Sequence, residues 1–369
     1  MRIGILTFHL AHNYGAALQC YALTTYLSEL KHEVCIIDYR PNSINQNYKW
    51  FNWKRIWTRN PFLLMKNLLF ELFVSPKRKK RYDSFILFQN RFFKCEPIST
   101  ICEKPYDLII VGSDQIWNTN LTDGFDKYYW GEFGKPKHTK IVSYAASMED
   151  NIPTAKVKDI YKRLKNFQYI SVREKSTVSQ LKRFCNDLEI YWCVDPTFLL
   201  SSEKWSSFGG KSIIKDPYLF FYQAERSEKA EKIAKRISVE LGLCYVDLSV
   251  SVINTHSKQT RYANPIDFVT LCKHATFIVC NSFHCTVFSI LFNKPFVSIK
   301  NNKGKDSRVS DILESYGLQG RFITEYHKGE ASNILGSNNA YTSIAMNMEM
   351  EDSKKYLNIV LNYERQNNN

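Results

Sequence analysis

The chain has 369 residues, of which 44% are hydrophobic and 14% aromatic, a composition that supplies packed cores and excludes an intrinsically disordered protein. A chain of this length predicts two domains of ordinary size. The formal net charge of +14 at pH 7 attracts anions of several kinds, namely nucleic acid, phosphorylated small molecules or an anionic membrane surface.

The amino terminus and the cysteines indicate a cytoplasmic protein. Ile3–Phe8 reads as a short strand, shorter than the apolar region of a signal peptide, and no apolar run reaches the roughly 20 residues of a membrane span. There are ten cysteines but no C-x-x-C pair, which argues against zinc knuckles and thioredoxin-like sites. We expect buried free thiols in or beside apolar elements at Cys20, Cys35, Cys193, Cys244, Cys272 and Cys280.

Short apolar, β-branched runs alternate with helix-length segments along the chain. In the first helical segment, apolar residues from Ala16 to Leu30 recur at spacings of three and four, as on one helix face. Strands separated by helices imply right-handed βαβ units, so we predict an α/β fold with two Rossmann-like domains whose parallel sheets face a cleft. The predicted strands are Ile3–Phe8, Val34–Ile37, Leu108–Val111, Ile141–Ala145, Tyr169–Val172, Tyr218–Tyr222, Leu243–Leu248, Phe277–Cys280 and Phe296–Ile299.

The periodicity breaks between Asp195-Pro196 and Pro217, which suggests a domain boundary. We predict an amino-terminal domain over residues 1–205 and a carboxyl-terminal domain over 206–335. Residues 336–369 form a tail, whose helix Tyr356–Tyr363 is expected to cross back to the first domain.

One segment, about residues 45–95, does not fit the alternation. It combines Trp50, Trp53 and Trp57 with the basic run Lys77–Arg81, and it contains the apolar stretch Phe62–Val74. As a helix, that stretch would carry Lys66, Asn67 and Glu71 on the side opposite its apolar face. Two interpretations stay open: a peripheral contact with anionic lipid, or a helical insertion packed on the first domain and followed by a solvated basic turn. Nucleic acid is not expected, because no recognisable binding module accompanies the charge.

Two polar clusters each follow a predicted strand of the first domain, one near the start of the domain and one near its middle. His12-Asn13-Tyr14-Gly15 follows the first strand, where Gly15 would let a ligand approach a helix start closely. It is not the G-x-G-x-x-G dinucleotide motif. The second cluster contains Asp114, Gln115, Trp117 and Asn118, and carboxylate and amide groups beside an exposed indole are typical of a sugar site. A capped turn with a core tryptophan is the alternative.

Two further clusters follow later strands. Arg173 ends a strand and could clamp an oxyanion with its guanidinium fork, or form a surface pair with Glu174. Asn281-Ser282-Phe283-His284 lies between a buried strand and an apolar helix, where open α/β sheets bind ligands and helix N–H groups favour anions. The alternative is a helix cap with a satisfied core histidine.

The order and spacing of these motifs resemble the polysaccharide pyruvyl transferase family. The resemblance extends from Met1 to about Arg321. It rests on His12-Asn13-Tyr14-Gly15-Ala16-x-Leu18-Gln19, Gly112-Ser113-Asp114-Gln115-Ile116-Trp117-Asn118, Val172-Arg173-Glu174, Ser282-Phe283-His284-x-Thr286-x-Phe288-Ser289, Arg308-Val309-Ser310-Asp311-Ile312-Leu313 and Gly317-Leu318.

The resemblance implies a fold similar to two-domain GT-B glycosyltransferases. It also implies that a bacterial enzyme of surface-polysaccharide synthesis transfers the pyruvyl group of phosphoenolpyruvate to a sugar as a ketal and releases phosphate. Phosphoenolpyruvate is then a co-substrate, with no further cofactor and no metal. The expected acceptor is a polyprenyl-diphosphate-linked sugar, which would favour a location at the inner face of the cytoplasmic membrane.

The resemblance also implies roles for individual residues. His284 would handle protons at the donor, and Asp114 would act as base for an acceptor hydroxyl or orient it. Many relatives have glycine at the position of Cys285, where a cysteine could crowd the approach of the backbone. Better-studied relatives have arginine at the position of Ser282, so the anion clamp is expected from other cations. The implied donor-binding residues are Arg173, Ser282, His284, Lys305, Arg308, Asn13 and Gly15, and the implied acceptor-binding residues are His12, Tyr14, Asp114, Gln115, Trp117 and Asn118.

Two other functions remain open. A glycosyltransferase that uses a nucleotide sugar would need the same two-domain cleft. A non-catalytic protein that binds an anionic glycan would retain the cleft without turnover. Phosphate release from phosphoenolpyruvate in the presence of acceptor distinguishes these functions from pyruvyl transfer.

Overall fold

The computed structural model describes residues 1–51, 53–134, 138–301, 306–337 and 344–367. Within these ranges a first sheet contains seven parallel strands: β1 (Arg2–Leu6), β2 (Glu33–Asp38), β3 (Cys95–Pro97), β4 (Leu108–Asp114), β5 (Lys140–Ala146), β6 (Ile170–Val172) and β7 (Ile190–Trp192). Their order is β3-β2-β1-β4-β5-β6-β7.

A second parallel sheet follows in the chain: β8 (Tyr218–Gln223), β9 (Cys244–Ser249), β10 (Phe277–Cys280), β11 (Phe296–Ile299) and β12 (Phe322–Ile323), in the order β12-β11-β10-β8-β9. The predicted α/β fold with two parallel sheets is confirmed. Three strands were not predicted, β3, β7 and β12, because each has only two or three residues and too short a pattern to recognise.

Helices connect the strands and cover the sheets. They are α1 (Tyr14–Glu29), α2 (Asn42–Tyr48), α3 (Pro61–Phe92), α4 (Thr100–Glu103), α5 (Val157–Leu164), α6 (Lys175–Lys182), α7 (Ser202–Phe208), α8 (Glu228–Glu240), α9 (Pro265–His274), α10 (Phe283–Leu291), α11 (Ser307–Ser315), α12 (Glu330–Gly336) and α13 (Ile344–Asn367). Helix α1 begins at a capping residue, since Asn13 Oδ1 accepts a hydrogen bond from Gly15 N at 2.9 Å.

The two domains share one apolar core, in which α1 of the first domain packs against α9 and α10 of the second. Tyr14 lies at the centre of this contact. Its ring stacks on Phe268 with centroids 5.0 Å apart, and its hydroxyl donates to Ala263 O at 2.9 Å. The contact brings the start of α1 against the start of α10, where the candidate site lies.

Helix α13 returns to the first domain. Tyr356, Leu357 and Val360 are buried in the same apolar cluster as Ile3 and Leu108 of the first sheet. The predicted boundary between residues 205 and 206 falls inside α7. Trp205 on that helix packs into the core that both domains share.

The first part of helix α3 exposes apolar side chains and buries Glu71, whereas its second part buries Phe85 and Phe88. Glu71 is only 2% exposed, whereas Phe62 is 78% and Phe73 69% exposed. The interpretation of this segment as a packed insertion included a solvated basic turn after the apolar stretch. That turn is wrong, since Lys77–Arg81 continues the helix. Within that run Arg81 is buried rather than solvated.

All ten cysteines are free thiols, as expected. The prediction that Cys244 is buried is wrong, because it begins an edge strand of the second sheet and is exposed. In the described part of the chain, no helix combines the length and the apolar character needed to span a bilayer.

Candidate active site

The carboxyl ends of strands from both sheets line a cleft of about 330 Å³. Asn13, Asp114 and Gln115 line it from the first domain. From the second domain it is lined by residues that follow β8, β9, β10 and β11. Open α/β folds bind ligands at this end of their strands, so the cleft is the candidate active site.

His284 lies in the first turn of α10 and lines the cleft. Ser282 caps this helix, since its Oγ accepts from Cys285 N at 3.5 Å. The imidazole Nε2 lies 3.3 Å from Asp195 Oδ2. Among the described residues, Nε2 has no hydrogen-bond partner of good geometry, so the contact with Asp195 is an ionic one. A histidine beside a buried carboxylate is an arrangement used for general acid–base chemistry.

Gly15 packs directly against His284. A Cβ at residue 15 would lie 2.0 Å from His284 Nδ1 and 2.3 Å from its Cγ, far closer than atoms can approach. The sequence predicts a close approach at Gly15, but the group that approaches is the imidazole of the second domain. The missing side chain therefore makes room for His284 between Asp195 and α1.

A buried ionic network holds Asp195. Arg173 Nη1 donates to Asp195 Oδ2 at 2.9 Å, and Arg173 Nε donates to Glu174 Oε1 at 3.1 Å. Thr197 Oγ1 donates to Asp195 Oδ1 at 2.7 Å. Burial opposes ionisation of Asp195, but His284 and Arg173 outweigh it and hold the pKa of this carboxyl below its usual range. Asp195 is therefore an anion that can orient His284.

The alternative of a surface Arg173–Glu174 pair is wrong, because both side chains are buried. Arg173 does not line the cleft. It borders a smaller cavity of about 30 Å³, whose wall includes Phe283 and Arg308, and its guanidinium carbon lies 4.7 Å from the centre of the Phe283 ring.

Arg308 on α11 lines both the cleft and the smaller cavity. Among the described residues, its buried Nε has no hydrogen-bond partner, and neither has Arg173 Nη2. Burial and the nearby Arg173 lower the pKa of Arg308. Buried donors of this kind can be satisfied by an anion. Lys305, the third predicted cation, lies outside the described residues.

The polar residues at the strand ends shape the cleft. Asn281, which precedes the cap residue Ser282, joins two loops: its Oδ1 accepts from Ala224 N at 2.8 Å, and its Nδ2 donates to Glu225 O at 2.7 Å. Cys285 does not crowd the cleft, because it is buried in the core that both domains share.

Asp114 lines the cleft at the end of β4 and has a backbone φ of 73°, a value uncommon for residues other than glycine. Its Oδ1 accepts from Gln115 N at 2.8 Å. The turn directs residues 114 and 115 into the cleft opposite the second domain. The structure therefore brings Asp114 and Gln115 into the same cavity as His284.

The prediction that Trp117 offers an exposed face to a sugar is wrong. Its indole is buried, stacks on Trp130 with centroids 5.0 Å apart, and donates from Nε1 to Tyr129 O at 2.7 Å. Asn118 is also buried, and its Oδ1 accepts from Asn120 N at 3.1 Å as in a capped turn. The alternative interpretation, a capped turn with a core tryptophan, is therefore correct for Asn118 and Trp117.

Two further predicted acceptor contacts lie outside the cleft. Tyr14 is buried in the interdomain core, and burial raises its pKa to about 12. His12 lines a different cavity and stacks on Phe85 with centroids 5.2 Å apart. Burial lowers the pKa of His12 to about 4, so this imidazole is neutral near pH 7.

One group of side chains has the composition of a metal site, although no ligand cluster is evident in the sequence. Glu33, Cys35 and Glu96 bring their ligand atoms within 4.8 Å of one another. However, Cys35 Sγ donates to Glu96 Oε1 at 3.2 Å, and Arg2 pairs with Glu96. Burial, with help from Glu96, raises the pKa of the Cys35 thiol to about 11, which disfavours the thiolate that binds metals. None of the three lines the cleft.

Asp195 is the site residue that sequence reasoning missed. In the sequence, Asp195-Pro196 has the appearance of a linker at a domain boundary. It follows β7, a strand too short to recognise, and it caps the 3-10 helix Pro196–Leu199. An acidic residue directly after a recognised strand would have marked the position as a candidate.

Solved structures that superpose on this chain include a proposed UDP-N-acetylglucosamine 2-epimerase from Listeria monocytogenes. It superposes with a TM-score of 0.57 at 9% sequence identity, over 99% of this chain and 97% of that chain. The UDP-N-acetylglucosamine 2-epimerase from Neisseria meningitidis has a TM-score of 0.48 at 10% identity, over 97% and 99%. A glycosyltransferase from Streptomyces has a TM-score of 0.40 at 11% identity, over 96% and 95%. At these identities the Listeria structure supports the two-domain fold and no more.

The sequence itself carries the family assignment. No curated protein sequence matches the chain. The family model described as polysaccharide pyruvyl transferase matches residues 13–303, a range that includes Asn13, Asp114, Asp195 and His284. Since this match covers well over half of its length, the protein belongs to the polysaccharide pyruvyl transferase family.

Proposed function

We propose that the protein transfers the pyruvyl group of phosphoenolpyruvate to a sugar as a ketal and releases phosphate. The observation that carries the proposal is that His284 lines the interdomain cleft, with its Nε2 3.3 Å from Oδ2 of the buried Asp195, in a member of this family. Phosphoenolpyruvate is an enol ester that needs a proton donor, and His284 is the titratable group best placed in the cleft to supply one.

The proposed reaction has two additions at one carbon. His284 delivers a proton to the methylene carbon of phosphoenolpyruvate, and a sugar hydroxyl adds to the central carbon. A second hydroxyl of the same sugar then displaces phosphate, so that one donor and one diol give one ketal and one phosphate. Asp114 takes the proton of a hydroxyl or orients it. The reaction balances without a further co-reactant.

The donor carries a carboxylate and a phosphate, so its site needs cations. Arg308 lines the cleft and has a buried Nε without a partner among the described residues, which suits an oxyanion. Ser282 and Asn13 line the same cleft and can contribute polar contacts. Arg173 is a candidate through its Nη2, and Lys305 is proposed from the family resemblance alone.

Arg173→Lys tests whether Arg173 contacts the donor or positions Asp195. Lysine keeps the charge but loses the fork that joins Asp195 and Glu174. If Arg173 binds the donor, we expect the KM for phosphoenolpyruvate to rise by about 10-fold or more, as for loss of a charge-assisted bond. A fall in kcat with unchanged KM would assign Arg173 to positioning, and unchanged values of both would exclude either role.

The acceptor is proposed to be linked to a polyprenyl diphosphate, so the enzyme would work at the inner face of the cytoplasmic membrane. The outer side of α3 supports this proposal, because Phe62, Leu69 and Phe73 are each more than half exposed and lie along one helix face. Exposed Trp53 and Trp57 precede the helix, and Lys79 is exposed on it. Aromatic and apolar residues with flanking lysines suit the interface of an anionic bilayer. Such lysines contribute on the order of 1 kcal/mol each.

We expect the protein to sediment with anionic liposomes at low salt and to be released as salt rises. The variant with Phe62→Ser, Leu69→Ser and Phe73→Ser should remain in the supernatant, because it removes the apolar face. Replacing Arg78 or Arg81 is unsuitable for this test, because Arg78 pairs with Glu71 and Arg81 is buried. A matched control replaces exposed apolar residues elsewhere, with Leu30→Ser, Val239→Ser and Met348→Ser, and should sediment normally. Equal sedimentation of all three proteins would exclude α3 as the membrane contact.

The function itself is tested with purified protein and lipid-linked glycans extracted from a strain that lacks the gene. We expect phosphate release only when phosphoenolpyruvate and the glycan are both present. Transfer of a labelled sugar from a nucleotide sugar, without phosphoenolpyruvate, would instead support a glycosyltransferase. Glycan binding without either turnover would support the non-catalytic alternative.

A further inference from the structure

A second cavity, of about 280 Å³, lies between α3 and the residues that follow β9. None of the described residues that line it is acidic, and four are cationic: Lys49, Arg55, Arg78 and Arg81. We call it the basic cavity. Trp50 and Tyr82 supply part of its wall. The proposed reaction uses none of these side chains.

One buried carboxylate offsets part of this charge. Glu71 lies 2.5 Å from Arg78 and 3.8 Å from Arg55. Burial, followed by the proximity of Arg78, lowers the pKa of Arg55, and Glu71 opposes this shift. A ligand with two negative charges would reduce the repulsion among these side chains.

The wall of the basic cavity is held rigidly by Arg81. Its Nε donates to Arg261 O at 2.8 Å and its Nη1 to Val250 O at 3.3 Å, so that α3 is tied to the second domain. The positive charge of Arg81 is therefore fixed beside the cavity before any ligand binds. Such preorganisation lowers the entropic cost of binding.

The basic cavity adjoins the cleft on one side. Val250 lines both cavities, and His12 of the basic cavity precedes Asn13 of the cleft in the chain. On the other side is α3, whose inner face carries Arg78 and whose outer face carries Phe62 and Phe73. Three features therefore lie side by side: the exposed apolar face of α3, the basic cavity and the candidate active site.

We propose that the basic cavity binds the diphosphate of the acceptor, an inference that rests on the lipid-linked acceptor of the proposed function. A polyprenyl-diphosphate-linked sugar has an apolar chain, a dianionic diphosphate and a sugar in that order. The order matches the outer face of α3, the basic cavity and the cleft. Arg55, Arg78 and Lys49 would contact the phosphate oxygens, and the sugar would extend past Val250 toward His284.

The test is direct binding, measured by calorimetry without phosphoenolpyruvate. The ligands are farnesyl diphosphate, inorganic pyrophosphate and uridine diphosphate. The variants are Lys49→Gln alone, which alters an exposed side chain, and Lys49→Gln with Arg55→Gln. Lys54→Gln is the matched control, because Lys54 precedes Arg55 on the 3-10 helix Trp53–Arg55 and does not line the cavity. Circular dichroism and thermal melting establish that each variant is folded.

Wild-type protein is expected to bind farnesyl diphosphate and pyrophosphate. The double variant should bind both about 10-fold or more weakly, since it loses two charge-assisted contacts, and Lys54→Gln should bind normally. Absent binding by the wild type, or equal binding by the double variant, would overturn the proposal. Tighter binding of uridine diphosphate, with the same dependence on Lys49 and Arg55, would assign the cavity to a nucleotide and overturn the lipid-linked source. Because no donor is present, failure of pyruvyl transfer would leave these results unchanged.

Discussion

Replacing His284 with asparagine is expected to lower turnover of phosphoenolpyruvate by about 100-fold or more, the scale of a lost general acid. Asparagine can donate a hydrogen bond from its side-chain amide to the Asp195 carboxylate, but it cannot carry a proton to the donor. The side chain is smaller than imidazole, so Gly15 and the helix cap at Ser282 remain undisturbed. Steady-state phosphate release, with circular dichroism to establish folding, measures the effect.

A matched control is His256→Asn. His256 also lies near an aspartate, with Nδ1 3.2 Å from Asp247 Oδ2, but it is exposed and outside the cleft. Its replacement should leave turnover within about twofold, a change of less than 0.5 kcal/mol. Near-normal turnover of His284→Asn would remove His284 from the mechanism and return it to the role of a satisfied core histidine.

Gly15→Ala is expected to reduce turnover by about 100-fold, although it adds a single methyl group. That methyl would overlap the His284 ring, so the imidazole must move, and a displacement of about 1 Å at a reacting group can have an effect of this size. Alanine is favoured over glycine inside a helix, so α1 itself should not be weakened. The expected phenotype is a folded protein with impaired chemistry.

The control for this prediction is Gly210→Ala. A Cβ there would lie 3.9 Å from Thr270 Oγ1, an ordinary contact, and the residue does not line the cleft. Melting temperature and turnover should both stay near the wild-type values. If Gly15→Ala were as active as Gly210→Ala, the packing of His284 on α1 would have no part in catalysis.

Nine of the twelve described strands could be predicted because each contains a recognisable apolar run, whereas β3, β7 and β12 are too short to show one. Phe277–Cys280 and Phe296–Ile299 are predicted with the bounds that the structure has, since both are short apolar runs flanked by polar turns. The position of His284 at a strand end also follows from local sequence. Its burial against Gly15 does not, because that contact joins residues 269 positions apart, on different domains.

The acceptor contacts were harder to predict, because a polar motif does not reveal which of its side chains point inward. Asp114 and Gln115 reach the cleft, whereas Trp117, two positions further along, turns into the core and stacks on Trp130. The turn at Asp114, with its positive φ, redirects the chain at this point. Tyr14 is likewise adjacent to Gly15 in sequence but faces the interdomain core.

The orientation of α3 could not be derived from amphipathicity alone. An apolar face ordinarily packs inward, yet Glu71 is buried here and Phe62 is exposed, because Arg55 and Arg78 pair with the carboxylate. The periodicity identifies two faces, and the partners of Glu71 decide which one is inside. Those partners come from before and after the apolar stretch, so a window over Phe62–Val74 does not contain them.

The most direct test of pyruvyl transfer is to follow the carbon of the donor. Purified protein is incubated with uniformly ¹³C-labelled phosphoenolpyruvate and the lipid-linked glycan extract, and the glycan is analysed by mass spectrometry and carbon NMR. The predicted result is a glycan that gains one labelled pyruvate less one water, with a ketal carbon and one phosphate released per transfer, and almost no product with His284→Asn. Phosphate release without labelled carbon in the glycan, or labelled glycan of equal yield from His284→Asn, would contradict the proposed function and mechanism.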